Sequence, residues 1–293
     1  MAVRIETRLT RLFGIDHPVV LAPMERVAGG QLAAAVSAAG GLGLIGGGYG
    51  DEAWLDGAFA AAGNQPVGVG FITWSLARQP HLLDRSLARR PKALMVSFGD
   101  AEPFVAKAKA AGVPVLWQVQ RLAEARQAIA SGADAIVVQG QEAGGHGLDR
   151  GLFSLVPAVR DLAGPDRVIV AAGGIADGRG LAGALALGAD GVLVGTRFWA
   201  SEEADGPATA KAAIVAAGGD DTIRTKVFDV ARRVDWPWQY TGRVIANPFA
   251  RAHHDAVMAT MGAPAEALAA FDAAAPEDFS VRPVIAGEAA DLI

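Results

Sequence analysis

Over the first two hundred residues, apolar and polar positions fall into one repeating unit. An Ala-rich stretch with helical spacing meets a glycine, and a short, almost purely apolar run follows. Ala38-Ala39-Gly40 precedes "LGLIGGG", Ala61-Ala62-Gly63 precedes "QPVGVGF", and Ala110-Ala111-Gly112 precedes "VPVLWQVQ". Gly132-Ala133-Asp134 and Gly188-Ala189-Asp190 lead into "AIVVQG" and "GVLVGT" in the same way. A glycine just past a helix end takes the left-handed conformation without a Cβ penalty, so it stops the helix and turns the chain. The runs behind it are too short and too uniformly apolar for one-sided strands, and they read as parallel strands buried on both faces.

Eight such strands are predicted, over 19–24, 42–45, 67–71, 93–97, 113–119, 135–139, 168–172 and 191–194. Helical segments separate them; Leu122, Ala125 and Ile129, for example, share one helix face. Eight alternations of strand and helix predict an α/β fold, a closed (β/α)8 TIM barrel. A doubly wound open sheet would use the same alternation, but nothing in the sequence marks edge strands. From about residue 201 the pattern becomes more polar and aromatic and is punctuated by Pro and Gly. This stretch reads as the last barrel helix plus a small, mainly helical appended segment. Helices are expected over 248–260 and 264–273, each opening on a proline, which the first helical turn tolerates. Without a low-complexity linker, residues 1–293 are expected to form a single domain.

Composition narrows the function. An apolar share of 52% against 19% charged residues allows a large core. A formal net charge of −5 argues against a nucleic-acid surface, which needs clustered Lys and Arg. There are no cysteines, so disulfides, thiolate-bound metals and thiol nucleophiles are excluded. The N-terminal stretch "MAVRIETRLTRLFGIDHP" carries charges throughout and lacks the apolar core of a signal peptide. No apolar run reaches spanning length, so a soluble, cytoplasmic protein without membrane partners is expected.

Candidate chemistry follows from the barrel, whose active sites lie at the C-terminal ends of the strands. The seventh strand ends in Ala172-Gly173-Gly174-Ile175 and the eighth in Gly195-Thr196-Arg197. Paired glycines there, with a Thr hydroxyl, are what a backbone phosphate site uses; tight turns alone would also explain them. After the sixth strand comes "QGQEAGGHG". Gln139 could hydrogen-bond a heterocycle edge, and Gly144-Gly145 could let the chain pass close to a flat ring. His146, with an ordinary pKa near ~6.5, suits proton transfer. The bland alternative is a solvated loop with an incidental histidine.

These stretches carry a resemblance. "APM" on the first strand, "QGQEAGGHG", "AAGGI" and "GTRF" occur in order from Pro23 to Phe198 and resemble the nitronate monooxygenase family, formerly 2-nitropropane dioxygenases. Its barrels include enoyl-ACP reductases and NADH:quinone reductases. The resemblance implies an FMN cofactor, with Pro23, Met24, Gln139, Gly144 and Gly145 around the flavin. It also implies Gly173, Gly174, Gly195 and Thr196 at the phosphate, and His146 as the catalytic residue. The reaction implied is oxidation of an alkyl nitronate or nitroalkane by O2 to a carbonyl compound and nitrite. An NAD(P)H-dependent FMN reductase of enoyl thioesters or quinones is the nearest alternative. A non-redox barrel that binds a phosphate ligand is the alternative of another class.

Two departures stand out. Many members carry "GVN" on the third strand where this chain has Gly68-Val69-Gly70, so a flavin contact is either lost or supplied elsewhere, by Thr73 or Gln118. Small residues common after the first-strand methionine are replaced by Glu25-Arg26. Arg26 either binds an anionic substrate or pairs with an acid. Trp236, Trp238 and Tyr240 are expected to be satellite core with one ring exposed. Glu142 is expected to fix the loop as an acceptor. His253-His254-Asp255 is expected to be a solvated helix face and not a metal site, since adjacent helical residues point apart. His17 and His81 have no supporting context.

Overall fold

The computed structural model describes residues 4–293. Its strands, in chain order, are β1 (Val19–Leu21), β2 (Leu44–Gly46), β3 (Gly68–Ile72), β4 (Leu94–Ser97), β5 (Val115–Val119), β6 (Ala135–Gln139), β7 (Gly145–Gly147), β8 (Val168–Ala172), β9 (Gly191–Val194), β10 (Thr222–Thr225) and β11 (Thr241–Ile245). Eight of them pair in parallel in the order β1-β9-β8-β6-β5-β4-β3-β2. Leu42, just ahead of β2, bridges back to Val20, with Leu21 N–H donating to Leu42 O at 2.9 Å and Leu42 N–H to Val19 O at 3.0 Å. That bridge closes the ring, and the TIM barrel expected from the pattern is present.

Alternation along each strand divides the core into two layers. Ala135 and Val137 of β6 face the barrel interior with Leu116, Val170 and Leu193. Ile136 and Val138 face outward with Trp117, Val156 and Ile169 under the helices. The helix Arg8–Phe13 plugs the bottom of the barrel with Leu9 and Phe13. With that end filled by apolar side chains, a cavity within the barrel must open at the C-terminal ends of the strands.

After residue 201 helices predominate, including Ala208–Ala216, Pro248–Thr260 and Ala265–Ala273. Asn247 caps the second of these by accepting from Ala250 N–H at 2.8 Å. A small antiparallel sheet, β10-β11-β7, was not expected from the pattern. Its central strand "TGRVI" is short and half-polar, and its third strand is the glycine-flanked histidine itself. Gly145, His146 and Gly147 pair with Arg243, Gly242 and Thr241. The loop after β6 is therefore held by the segment that follows the barrel.

Candidate active site

All eleven residues singled out from sequence line one cavity of about 430 Å³ at the C-terminal mouth of the barrel. They are Pro23, Met24, Gln118, Gln139, Gly144, Gly145, His146, Gly173, Gly174, Gly195 and Thr196. Several of them also have a part in the protein's own packing. Gly173 and Gly174 have φ of +110° and +68°, so the turn after β8 calls for glycine whatever is bound there. Gly195 differs. Its φ is −111°, and a Cβ would lie 3.5 Å from Ala22 Cβ and from Met24 Sδ, an ordinary contact. Neither backbone nor protein neighbour requires glycine there, yet a larger side chain would occupy the cavity. Gly195 thus fits a surface shaped for a ligand.

Gly144 is explained by the protein. A Cβ there would come within 2.8 Å of the Ala286 and Gly287 backbone, so the C-terminal segment packs directly on the loop. The same segment reaches Thr196, whose Oγ1 accepts from Gly287 N–H at 3.0 Å, and Glu288 N–H donates to Glu142 O at 2.9 Å. Glu142 also accepts from Leu152 N–H with both carboxylate oxygens, at 2.9 and 3.1 Å. Arg224 braces the loop from below, donating to Gln141 O at 2.9 Å and Ala143 O at 3.2 Å. Burial, with Arg243 beside it, lowers Arg224 to about 10.

Gln139 is occupied. Its Oε1 accepts from Gln118 Nε2 at 3.1 Å and from Gln120 Nε2 at 2.6 Å, and its Nε2 donates to His146 O at 3.1 Å. Its amide fixes the histidine loop, and Gln118 Oε1 has no protein partner among the described residues. Gly70 accounts for the missing Asn: a Cβ there would lie 2.4 Å from Pro23 Cγ. Thr73 does not line the cavity; its buried Oγ1 has no protein partner. Arg26 pairs with Asp51. Glu25 lines the cavity mouth, where burial raises its carboxyl against the lowering influence of Arg232.

His146 is held on an edge and a face. Its Nε2 lies 2.9 and 3.0 Å from the two oxygens of Asp229, and its ring stacks on Trp236 at 3.6 Å between centroids with 7° between planes. A carboxylate only accepts, so Nε2 carries the proton, and in the neutral ring Nδ1 keeps a lone pair. Nδ1 has no partner among the described residues. Trp236 is fixed in turn by its indole N–H, which donates to Tyr49 Oη at 2.6 Å. Of the aromatic cluster expected as satellite core, Trp236 and Tyr240 are buried, and Trp236 also lines the cavity. Asp229 and Tyr49 escaped the sequence reading. Asp229 lies 83 residues from His146 and carries no local motif, whereas "DWPWQY" was visible without its partner.

Burial is the largest influence on His146 and lowers its pKa; Asp229 raises it, and Lys226 and Arg232 lower it. Side-chain exposures of 13% for His146 and 7% for Asp229 leave little water to support a charged ring. The base form therefore persists through neutral pH and is lost only as pH falls below the usual ~6.5. In Asp229→Asn the charge favouring the imidazolium is gone, so the ring should titrate lower still. A proton NMR titration of the His146 ring checks this, and an unchanged or raised titration point would contradict it.

The nitronate monooxygenase family model matches residues 6–73 and 72–277. A nitronate monooxygenase from Neurospora crassa is 35% identical over 280 residues, covering 79% of this chain and 74% of that protein. A (3aS,4S,5R,7aS)-5-hydroxy-7a-methyl-1-oxo-octahydro-1H-indene-4-carboxyl-CoA dehydrogenase from Rhodococcus jostii (strain RHA1) is 37% identical over 234 residues, which cover 78% of this chain. The chain spans 65% of that protein's length. Among solved structures, FabK from Thermotoga maritima matches with a TM-score of 0.85 at 32% identity, covering 99% of this chain and 91% of that one. With the family model covering most of its length, this chain belongs to the nitronate monooxygenase family of oxidoreductases.

Proposed function

We propose that the chain is an FMN-dependent nitronate monooxygenase of the cytoplasm, converting alkyl nitronates, and nitroalkanes through them, with O2 to carbonyl compounds and nitrite. The observation that carries this reading is His146 paired with Asp229 at 2.9 Å and lining the cavity of a barrel of this family, where burial lowers its pKa. FMN fits the residues present: Gly195 leaves room that no protein atom fills, and the turn at Gly173-Gly174 lies beside it. Gly173, Gly174, Gly195 and Thr196 would hold the phosphate. Pro23, Met24, Gly144 and Gly145 would flank the ring system, and Gln118 Oε1 would accept from its polar edge. When bound, FMN supplies the electron acceptor and the route to O2.

His146 acts on the proton. A neutral nitroalkane loses its α-proton to Nδ1, leaving the nitronate and an imidazolium. Asp229 on Nε2 and the Trp236 face stabilise that cation, the latter by about 0.5–2 kcal/mol in a desolvated site. Trp236 also keeps water from one face of the ring. A nitronate arrives already deprotonated and asks no proton transfer of His146.

A second reading has a specific observation behind it. The Rhodococcus relative's name specifies a carboxyl-CoA dehydrogenase, so redox chemistry between a thioester and a nicotinamide competes. Anaerobic mixing with NADH separates the two: rapid bleaching of the flavin supports the thioester reading, and aerobic release of nitrite from a nitronate supports the first. Protein that purifies colourless and takes up no flavin would overturn both and leave a phosphate-binding barrel.

Two variants test the assignments. Gly195→Val should fold, because a Cβ meets no protein atom closer than 3.5 Å, yet lose most of its FMN; full occupancy would remove Gly195 from the phosphate site. His146→Asn should keep FMN. Its kcat/KM should fall about 10²–10⁴-fold with neutral nitroalkanes and far less with nitronates. Equal losses with both would remove the general-base role from His146, and undiminished turnover would end its catalytic assignment.

A further inference from the structure

Lys226 is among the largest fully buried side chains of the molecule, with 2% of its surface exposed. Burying an ammonium is costly unless it is paired and its hydrogen bonds are met. Here they are. Its Nζ lies 2.8 Å from Asp229 Oδ2 and donates to Tyr240 O at 3.1 Å and to Trp236 O at 3.4 Å. One ammonium therefore holds both supports of His146. It binds the carboxylate on the ring's edge, and it binds the backbone of the tryptophan stacked on the ring's face.

We infer that Lys226 is a positioning residue, which fixes Asp229 and Trp236 around His146 and balances the Asp229 charge so that the neutral imidazole is the ring's resting form. Charge counting gives the reason. With Lys226 positive and Asp229 negative, a neutral ring leaves the buried cluster uncharged, and protonating it would strand one net charge away from water. Without Lys226, Asp229 would face His146 alone, and an imidazolium would become its natural counter-ion.

The other groups around the ring do not substitute for Lys226. Arg232, at the end of the helix Val227–Ala231, is the remaining charged group bearing on His146, and it is exposed. From β6 and β11 the neighbours are the uncharged Gln139 and Gly242. Tyr49 reaches the ring only through Trp236.

Two substitutions separate charge from placement. Lys226→Gln removes the charge but can still donate to the Trp236 and Tyr240 carbonyls; Lys226→Met removes both. In each, the His146 ring, followed by proton NMR in the purified flavoprotein, should titrate higher than in the parent. If His146 is the base proposed above, kcat/KM for a neutral nitroalkane at pH 7 should fall on the order of tenfold and recover as pH rises, with nitronate turnover retained. Lys226→Met should in addition lower kcat on the high-pH plateau, because the turn carrying Trp236 has lost its tie. Should Lys226→Met fail to fold, Lys226→Gln alone decides the charge effect. An unshifted ring titration in the folded variant would overturn the inference, as would a loss of activity uniform across pH. The titration needs no turnover, so it stands even if the parent oxidises no nitronate; that result would count against the proposed function alone.

Discussion

The site depends on the pairing of β7 with β11. A loop after a barrel strand ordinarily has only its own turn to shape it, and "GQEAGGHG" has too many glycines to hold a conformation unaided. Here Gly145–Gly147 is one strand of a sheet whose other strands come from beyond residue 220. That pairing sets His146 opposite Gly242, where no side chain stands between the ring and Asp229. Trp236, Tyr49 and the C-terminal backbone at Ala286-Gly287 then close around it. The barrel supplies the floor of the cavity, and the appended segment supplies the chemistry of its roof.

The electrostatics follow from that placement. Asp229 favours a charged ring, and burial opposes it. Burial wins because both partners lie largely out of water and Lys226 already answers the carboxylate's charge. The pair thus orients the ring without committing its second nitrogen. A solvent-exposed His–Asp pair would give the opposite balance, since water would remove the desolvation penalty and leave the carboxylate's attraction.

What the sequence revealed depended on how local the signal was. All eight barrel strands were legible as short apolar runs, five of them behind a helix-stopping glycine, because helix stops and two-sided burial are written within ten residues. The cavity-lining residues were legible for the same reason, each lying at the end of a strand. Their roles were less so. Gly144 lines the cavity and also makes room for a backbone, and Gln139 lines it and also ties down the histidine loop. Asp229 and Lys226 were invisible as site residues because their partner lies about eighty positions away. The pattern "KVFDVA" reads simply as one turn of amphipathic helix. β10 and β11 were missed because each alternates apolar residues with arginines that turn inward to brace the loop, so the polar half looked like surface.

The ring's protonation state at neutral pH tests the central claim most directly. Long-range ¹H–¹⁵N correlation spectra of the protein labelled at histidine nitrogen report which ring nitrogen carries the proton. The expected result for His146 is a neutral ring with the proton on Nε2 and a bare Nδ1. A proton on Nδ1 alone, or on both nitrogens at neutral pH, would contradict a base held ready by Asp229.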